Sequence, residues 1–294
     1  MLDLNPKSMR KPLQALLQMA LSVGLIALAL QQIDLASASN LLQRIRQNDW
    51  ATPLLLGSLA LFNASKIISA LRLNSYQRQQ AIDVGHAENL QLYYAGMFLN
   101  LFLPGGIGGD AYKILVLRRR AVAPVVALIR TTLADRVSGL FVLLMLSCWL
   151  WALPALKFSS WMLTGAALLL FAVFIGGHRW LFKMQVKLIF KVFSYGLAVQ
   201  LLQLGCMTLL LLTLQVPPAA LAPYLAVFLL SSVAAVLPLS IGGLGVRELS
   251  FVYGMQLLRL DPVPGVLASS GFFFITLISS LVGVVFLRRF SATP

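Results

Sequence analysis

Apolar runs separated by short polar or basic segments recur along the whole chain, at residues 13–30, 53–73, 90–103, 137–153, 161–177, 192–214, 225–237 and 263–287. A helix of roughly 20 apolar residues covers the roughly 30 Å hydrocarbon core of a bilayer. Six of the runs approach or exceed that length and are expected to cross. The other two are too short: 90–103 would be only about 21 Å long at 1.5 Å per residue. Each short run ends in a cluster of proline and glycine. The first reads Asn100-Leu-Phe-Leu-Pro-Gly-Gly-Ile-Gly-Gly-Asp110-Ala-Tyr-Lys113, the second Pro238-Leu-Ser-Ile-Gly-Gly-Leu-Gly-Val-Arg247-Glu248. Proline removes a helix donor and glycine admits backbone conformations closed to other residues. The expectation is therefore an all-α polytopic membrane protein, a single transmembrane domain over 1–294 with about six crossings and two re-entrant broken-helix hairpins.

Composition agrees with the pattern: 59% of residues are hydrophobic and 11% charged, and the mean hydropathy is +0.86, values of a chain solvated mostly by lipid. The net charge of +14 raises nucleic acid as a partner, but the cations punctuate apolar runs instead of forming one stripe, which suits anionic lipid surfaces. No nucleic acid partner is expected. Of the 23 Lys and Arg, only Arg44, Arg46, Lys157 and Arg259 fall on one side of the expected topology, and Lys66 and Arg247 lie at membrane depth. The rest mark the cytoplasmic side of a bacterial inner membrane by the positive-inside rule, with both termini cytoplasmic and the loops at 32–50 and 214–223 outside. The run 13–30 exceeds the roughly 7–15 residues of a signal-peptide core and is expected to be an uncleaved first crossing. Residues 72–90 read as a polar loop or interfacial helix. Arg179, Lys183, Lys187 and Lys191, four apart, read as one basic face of an amphipathic helix. Asp83, His86 and Glu88 lack metal-ligand spacing, and Cys148 and Cys206 each sit alone in an apolar run. No metal or cofactor is expected.

The order crossing, crossing, hairpin, crossing over 13–153 repeats over 161–287 from the opposite side, because an odd number of crossings inverts the second unit. Inverted repeats with interrupted helices characterise many secondary transporters, whose half-helix N-termini face anionic groups. Gly-rich breaks can also simply permit close helix packing, but two matched Pro-x-x-Ile-Gly-Gly breaks beside charges favour a site. Its candidate residues are Asn100, Gly105, Gly106, Gly108, Gly109, Asp110 and Lys113 at the first break, Arg130, Asp135 and Arg136 after it, and Gly242, Gly243, Arg247 and Glu248 at the second. Arg binds phosphate through two parallel donors, and Glu248 can orient Arg247 or carry a proton. Asp110 can alternatively cap the returning helix, and Arg130, Asp135 and Arg136 can form an ordinary interfacial cluster.

The first motif, the pair Asp135-Arg136 and the second motif together resemble the flippase-like transmembrane domain of lysylphosphatidylglycerol synthases, over nearly the whole chain. The resemblance implies lipid flipping or lipid-linked transport, with an anionic or modified phospholipid headgroup as the partner and a lipid-modifying enzyme as a possible associate. The synthases carry a large soluble aminoacyltransferase domain that this sequence does not show after Arg289, so that activity is not carried over. An integral-membrane transferase using Asp110, Asp135 or Glu248, an accessory subunit and an ion channel are the other readings; no nucleophile–base pair and no filter-like repeat accompanies them. The topology makes one direct prediction: a cysteine introduced at Gln185 stays unlabelled by an impermeant thiol reagent in intact cells and reacts after permeabilisation. Labelling in intact cells would reverse the orientation.

Overall fold

A computed structural model describes residues 6–102, 108–120, 122–153, 159–236 and 240–291. Every regular element among them is helical: α1 (Pro6–Gln31), α2 (Leu35–Arg46), α3 (Ala51–Gln79), α4 (His86–Phe102), α5 (Gly108–Arg119), α6 (Val125–Trp151), α7 (Ser160–Trp180), α8 (Val186–Thr213), α9 (Leu221–Ala234), α10 (Val246–Leu257) and α11 (Val263–Ser291), with single 3-10 turns at Pro218–Ala220 and Ile241–Gly243. Five of them, α3, α6, α7, α8 and α11, are long and apolar enough to cross a bilayer. A sixth span forms only if α1 and α2 count as one across a 91° bend. Leu168, Leu169 and Val173 of α7 and Val282 and Val285 of α11 are exposed, as apolar residues are where the surrounding medium is lipid. The protein is an all-α polytopic membrane protein.

The two short apolar runs do turn back. The hairpin arms have 17 and 12 residues in α4 and α5 and 14 and 12 in α9 and α10, all shorter than the roughly 30 Å core at 1.5 Å per residue. The α5 arm lies so close to α4 that a Cβ on Gly109 would sit 1.8 Å from the Gly96 carbonyl oxygen. In the second hairpin Gly254 of α10 packs on Val227 of α9. Gly242, Gly243 and Gly245 take φ of 60°, 82° and 85°, the left-handed region that glycine enters without penalty. Pro104, Gly105, Gly106 and Pro238 lie outside the described residues.

Four expectations need correction. The segment 32–50 is largely helix α2, because the Asp34 carboxylate accepts the N–H groups of Ala36 at 3.0 Å and Ser37 at 3.2 Å and restarts a helix. The polar stretch after Arg72 continues α3 to Gln79, since Arg72, Asn74, Ser75 and Gln77 are buried inside the bundle instead of solvating a loop. Residues 125–151 form one helix, α6, which leaves Arg130 exposed. The basic helix expected through Arg179 and Lys191 is interrupted between α7 and α8, where Lys183 adopts φ 51°.

Helix α3 packs along α8 at the centre of the bundle, while α4 packs on α11 and α6 on α9, so each hairpin lies against the last helix of the other half. Polar contacts tie these pairs in place, as they do where hydrophobic association between helices is weak. Tyr94 donates to Asn63 Oδ1 at 2.8 Å, Asn63 Nδ2 donates to Ser279 at 3.0 Å, and Trp151 Nε1 donates to the Ala226 carbonyl at 3.1 Å. One end of the bundle is basic. There Ile82, Val84, Leu92, Val116, Leu117, Leu128 and Phe290 form one apolar cluster, next to Arg118, Arg119 and Arg120 at the end of α5 and Arg288 and Arg289 at the end of α11. The close approaches lead to a stability prediction. Gly109→Ala and Gly283→Ala, whose added Cβ would meet the carbonyl oxygens of Gly96 and Tyr94 at 1.8 and 2.2 Å, should each cost about 1–3 kcal/mol or more. Gly24→Ala, which meets nothing within 4 Å, should stay within about 0.5 kcal/mol of the parent. Thermal unfolding in detergent measures all three.

Candidate anion site between the two breaks

Interrupting a membrane helix frees backbone donors that lipid cannot satisfy. At the first break Asn100 Oδ1 accepts the Gly109 N–H at 2.8 Å, so the end of α4 caps the start of α5. At the second, Glu248 Oε2 accepts the Gly245 N–H at 2.6 Å, and Ser22 of α1 accepts the Ile241 N–H at 3.0 Å. The other carboxylate oxygen of Glu248 accepts the Ser269 hydroxyl at 2.8 Å. Both of its oxygens are therefore engaged away from Arg247, which corrects the expectation that Glu248 orients that arginine. Asp110 is not a cap either. It lies in the first turn of α5, where its carboxylate bridges Lys113 Nζ at 2.7 Å and Arg136 Nε.

The breaks meet. A Cβ on Gly242 would sit 2.4 Å from Leu101 Cδ1, and both residues line a cavity of about 220 Å³ together with Lys66, Tyr93, Met97, Asn100 and Thr276. That volume is smaller than the roughly 300–1,000 Å³ of pockets for whole drug-sized molecules. Lys66 Nζ lies 4.3 Å over the Phe62 ring, and the Arg247 guanidinium lies 5.6 and 5.2 Å from the rings of Phe228 and Phe272. Phe272 touches both other rings, with centroids 5.4 and 5.0 Å away. Arg247 Nη1 also donates to Ser232 at 2.7 Å. Among the described residues no carboxylate lies within 4 Å of either Lys66 or Arg247. A cation–π contact contributes about 0.5–2 kcal/mol, against about 2.5–3.5 kcal/mol for a charge at the bilayer centre. Two cations held this way favour an anion between them.

Toward the basic end, Arg72 Nε donates to Asp135 Oδ1 at 2.7 Å, with both side chains about nine-tenths buried. Its guanidinium fits between two glycines: a Cβ on Gly139 of α6 would come within 3.1 Å of it, and one on Gly196 of α8 within 3.5 Å. Tyr93 connects the two groups of charges, lining the cavity while its ring lies 5.1 Å from Lys113 Nζ. Across the two breaks and the Arg72 site the chain thus places five cations, Lys66, Arg72, Lys113, Arg136 and Arg247, and three carboxylates, Asp110, Asp135 and Glu248. The formal surplus is two positive charges.

The structure brings together Asn100, Gly109, Asp110, Lys113, Asp135, Arg136, Gly242 and Arg247 from the expected set, with Gly108 opening α5 and the buried Gly243 packed on Arg247. It leaves out Arg130, exposed on the outer face of α6, and gives Glu248 a capping role. Gly105 and Gly106 fall outside the described residues. Sequence reasoning placed Arg72 at the end of the second crossing and left both it and Lys66 outside the site. The signal was the spacing Phe62, Ser65, Lys66, Ser69, Arg72, Tyr76, one polar-studded stripe of a continuous helix. The sequence model of the lysylphosphatidylglycerol synthase TM region matches residues 15–194. The chain belongs to that family. Its membership ties the protein to membrane lipids, and the match covers the first break, Lys66, Arg72, Asp110, Lys113, Asp135 and Arg136. It stops short of the second break, so the family likeness expected over nearly the whole chain is narrowed to these residues. No curated protein and no solved structure matches the chain.

The Arg72–Asp135 pair yields a second prediction. Asp135→Ala should cost about 3–5 kcal/mol because it strands a buried guanidinium, whereas Arg72→Met with Asp135→Leu should recover most of that loss. Unfolding midpoints of the two variants decide it; equal losses would show that the pair does not act as a unit.

Proposed function

We propose that the protein is an integral-membrane carrier for the anionic headgroup of a phospholipid or lipid-linked substrate, with the cavity between the two breaks as its substrate site. The observation that carries the proposal is Lys66, the cation that lines this small cavity, with Arg247 stacked on the far side of the Phe62–Phe272 ring contact and, among the described residues, no carboxylate within 4 Å of either. A phosphodiester would neutralise one of them and accept hydrogen bonds from both, and the N-terminal turn of α5 adds partial positive charge nearby. The Asp110 bridge to Lys113 and Arg136 supplies donors that a second phosphate oxygen can recruit by exchange. Family membership supports the lipid class of the substrate.

In this reading the basic end faces the cytoplasm of a bacterial inner membrane, by the positive-inside rule. Residues 13–153 and 161–287 are two inverted units, in which α3 corresponds to α8, the α4–α5 hairpin to α9–α10, and α6 to α11. The packing pairs support that correspondence: exchanging the units maps the α3–α8 contact onto itself and the α4–α11 contact onto α9–α6. Movement of one unit against the other about the shared cavity would expose it alternately to the two sides.

The test uses purified protein in proteoliposomes carrying a fluorescent anionic phospholipid or a fluorescent phosphatidylcholine, with loss of outer-leaflet signal after an impermeant quencher. Lys66→Gln and Arg247→Gln should each slow anionic-lipid translocation roughly 10- to 100-fold, the scale of one hydrogen bond to a charged group at about 1.5–3 kcal/mol, without loss of folded yield. Arg247→Lys should be impaired as well, because a point charge does not reproduce the guanidinium fork. Wild-type rates in both glutamine variants would overturn the headgroup site.

A further inference from the structure

His178 in the last turn of α7 and Tyr76 near the end of α3 form a buried pair, each 2% exposed. The Tyr76 hydroxyl lies 2.7 Å from His178 Nε2, and the other ring nitrogen, Nδ1, lies 2.8 Å from the Phe174 carbonyl oxygen. A carbonyl only accepts, so Nδ1 carries the proton. In the neutral ring Nε2 is then the acceptor, and Tyr76 donates to it. The Tyr76 hydroxyl has a second neighbour within hydrogen-bonding reach, Ser138 of α6, whose own hydroxyl donates to the Asp135 carbonyl at 2.9 Å. None of these residues lines the cavity between the breaks.

The charged groups facing the pair are few. From α3 and α6 they are Arg72 and Asp135, which act on Tyr76 and are bonded to each other. Helix α8 turns Ile189 and Val192 toward the pair, joined by Met184 from the α7–α8 connection. Lys183, Lys187 and Lys191 are exposed, and Arg179 donates to the Met184 carbonyl at 3.3 Å. Among the described residues no carboxylate lies within 4 Å of the His178 ring. Its surroundings are aromatic, with the centroids of Phe174, Phe182 and Tyr76 at 4.1, 5.5 and 5.9 Å, and aromatic faces attract a cation.

A proton added at Nε2 makes it a donor facing a donor. Tyr76 then has to turn its one O–H away, and Ser138 is the acceptor within reach. The hydrogen bonds now run in a single direction, from His178 through Tyr76 and Ser138 to the carbonyl of Asp135, the residue whose carboxylate holds Arg72. We propose that His178 binds a proton from the basic end and that Tyr76 and Ser138 relay its charge to the Arg72–Asp135 pair, so that the seating of α7 against α3 and α6 responds to pH. The exposed Arg179 follows His178 directly, which leaves the proton a short route. Helix α7 is also the least buried of the five spans, so its seating rests on few contacts.

Nuclear magnetic resonance of the full chain in detergent, with labelled histidine, tyrosine and arginine, tests the proposal without any lipid substrate, so its outcome is separate from that of the translocation assay. The chain has two histidines, and His86→Gln assigns them. His178 should show the Nδ1–H tautomer at about pH 8 and convert reversibly to the imidazolium as the pH falls toward about 5 with the protein folded. Of the seven tyrosines, the one whose signal disappears in Tyr76→Phe should shift with the same midpoint. So should the Arg72 Nε signal, identified by its loss in Arg72→Met with Asp135→Leu. Ser138→Ala removes the relay's acceptor and should weaken proton binding to His178 about tenfold, one hydrogen bond's worth, while uncoupling Arg72 from the titration. The proposal is overturned by a His178 ring that stays neutral until the protein unfolds, by the Nε2–H tautomer, by Tyr76 or Arg72 signals indifferent to the titration, or by an unchanged midpoint in Ser138→Ala.

Discussion

Two apolar helices break, and most of the architecture follows from where the freed backbone donors find acceptors. In a hydrocarbon medium each freed backbone donor needs an acceptor supplied by the protein, and the chain provides them locally: Asn100 for Gly109, Glu248 for Gly245, Ser22 for Ile241. These acceptors reach their donors only if the returning arms lie close against the arriving ones. That requirement explains the Gly96–Gly109 contact, where side chains would hold the backbones apart. The tips of the two hairpins meet at a cavity whose lining is mostly apolar and neutral polar, with Lys66 its one cation among the described residues.

The two breaks are closed by different means. Asn100 belongs to the arriving helix, so the first cap spans the gap and couples α4 to α5. Glu248 belongs to the returning helix and caps its own first turn, while its second oxygen holds Ser269 of α11. An inserted charge used as a structural acceptor is a familiar hazard in functional prediction. A buried carboxylate beside an arginine suggests an ion pair, yet here the backbone N–H and a serine hydroxyl take both oxygens and leave Arg247 facing aromatic rings and Ser232. The arginine is therefore held by aromatic rings and a hydroxyl because its sequence neighbour is occupied elsewhere.

The positive charges are graded along α3. Lys66 faces the cavity, Arg72 is compensated by Asp135 a turn and a half further on, and Arg78 is exposed at the end of the helix. One helix thus carries a buried uncompensated cation, a buried compensated one and an exposed one. The aromatic cluster of Phe62, Phe228 and Phe272 holds Lys66 and Arg247 in place.

The sequence by itself determined the class, the number and place of the two breaks, and the charged residues beside them, because hydropathy sets what can be solvated by lipid and proline with glycine sets where a helix can stop. Asp110, Lys113, Asp135 and Arg136 were legible for the same reason: charges in an apolar chain are few. What only the tertiary structure decided is which charge meets which. Arg72 looked like the end of a crossing because the chain becomes polar beyond it, and its burial depends on Asp135, 63 positions later, and on two glycines from other helices that make room for it. Arg130 looked equivalent to Arg136, but the two lie on different faces of α6, and rotation about a helix axis relative to its neighbours is a property of packing. Pairing between distant residues is set by the close fit of helices, which local composition does not encode.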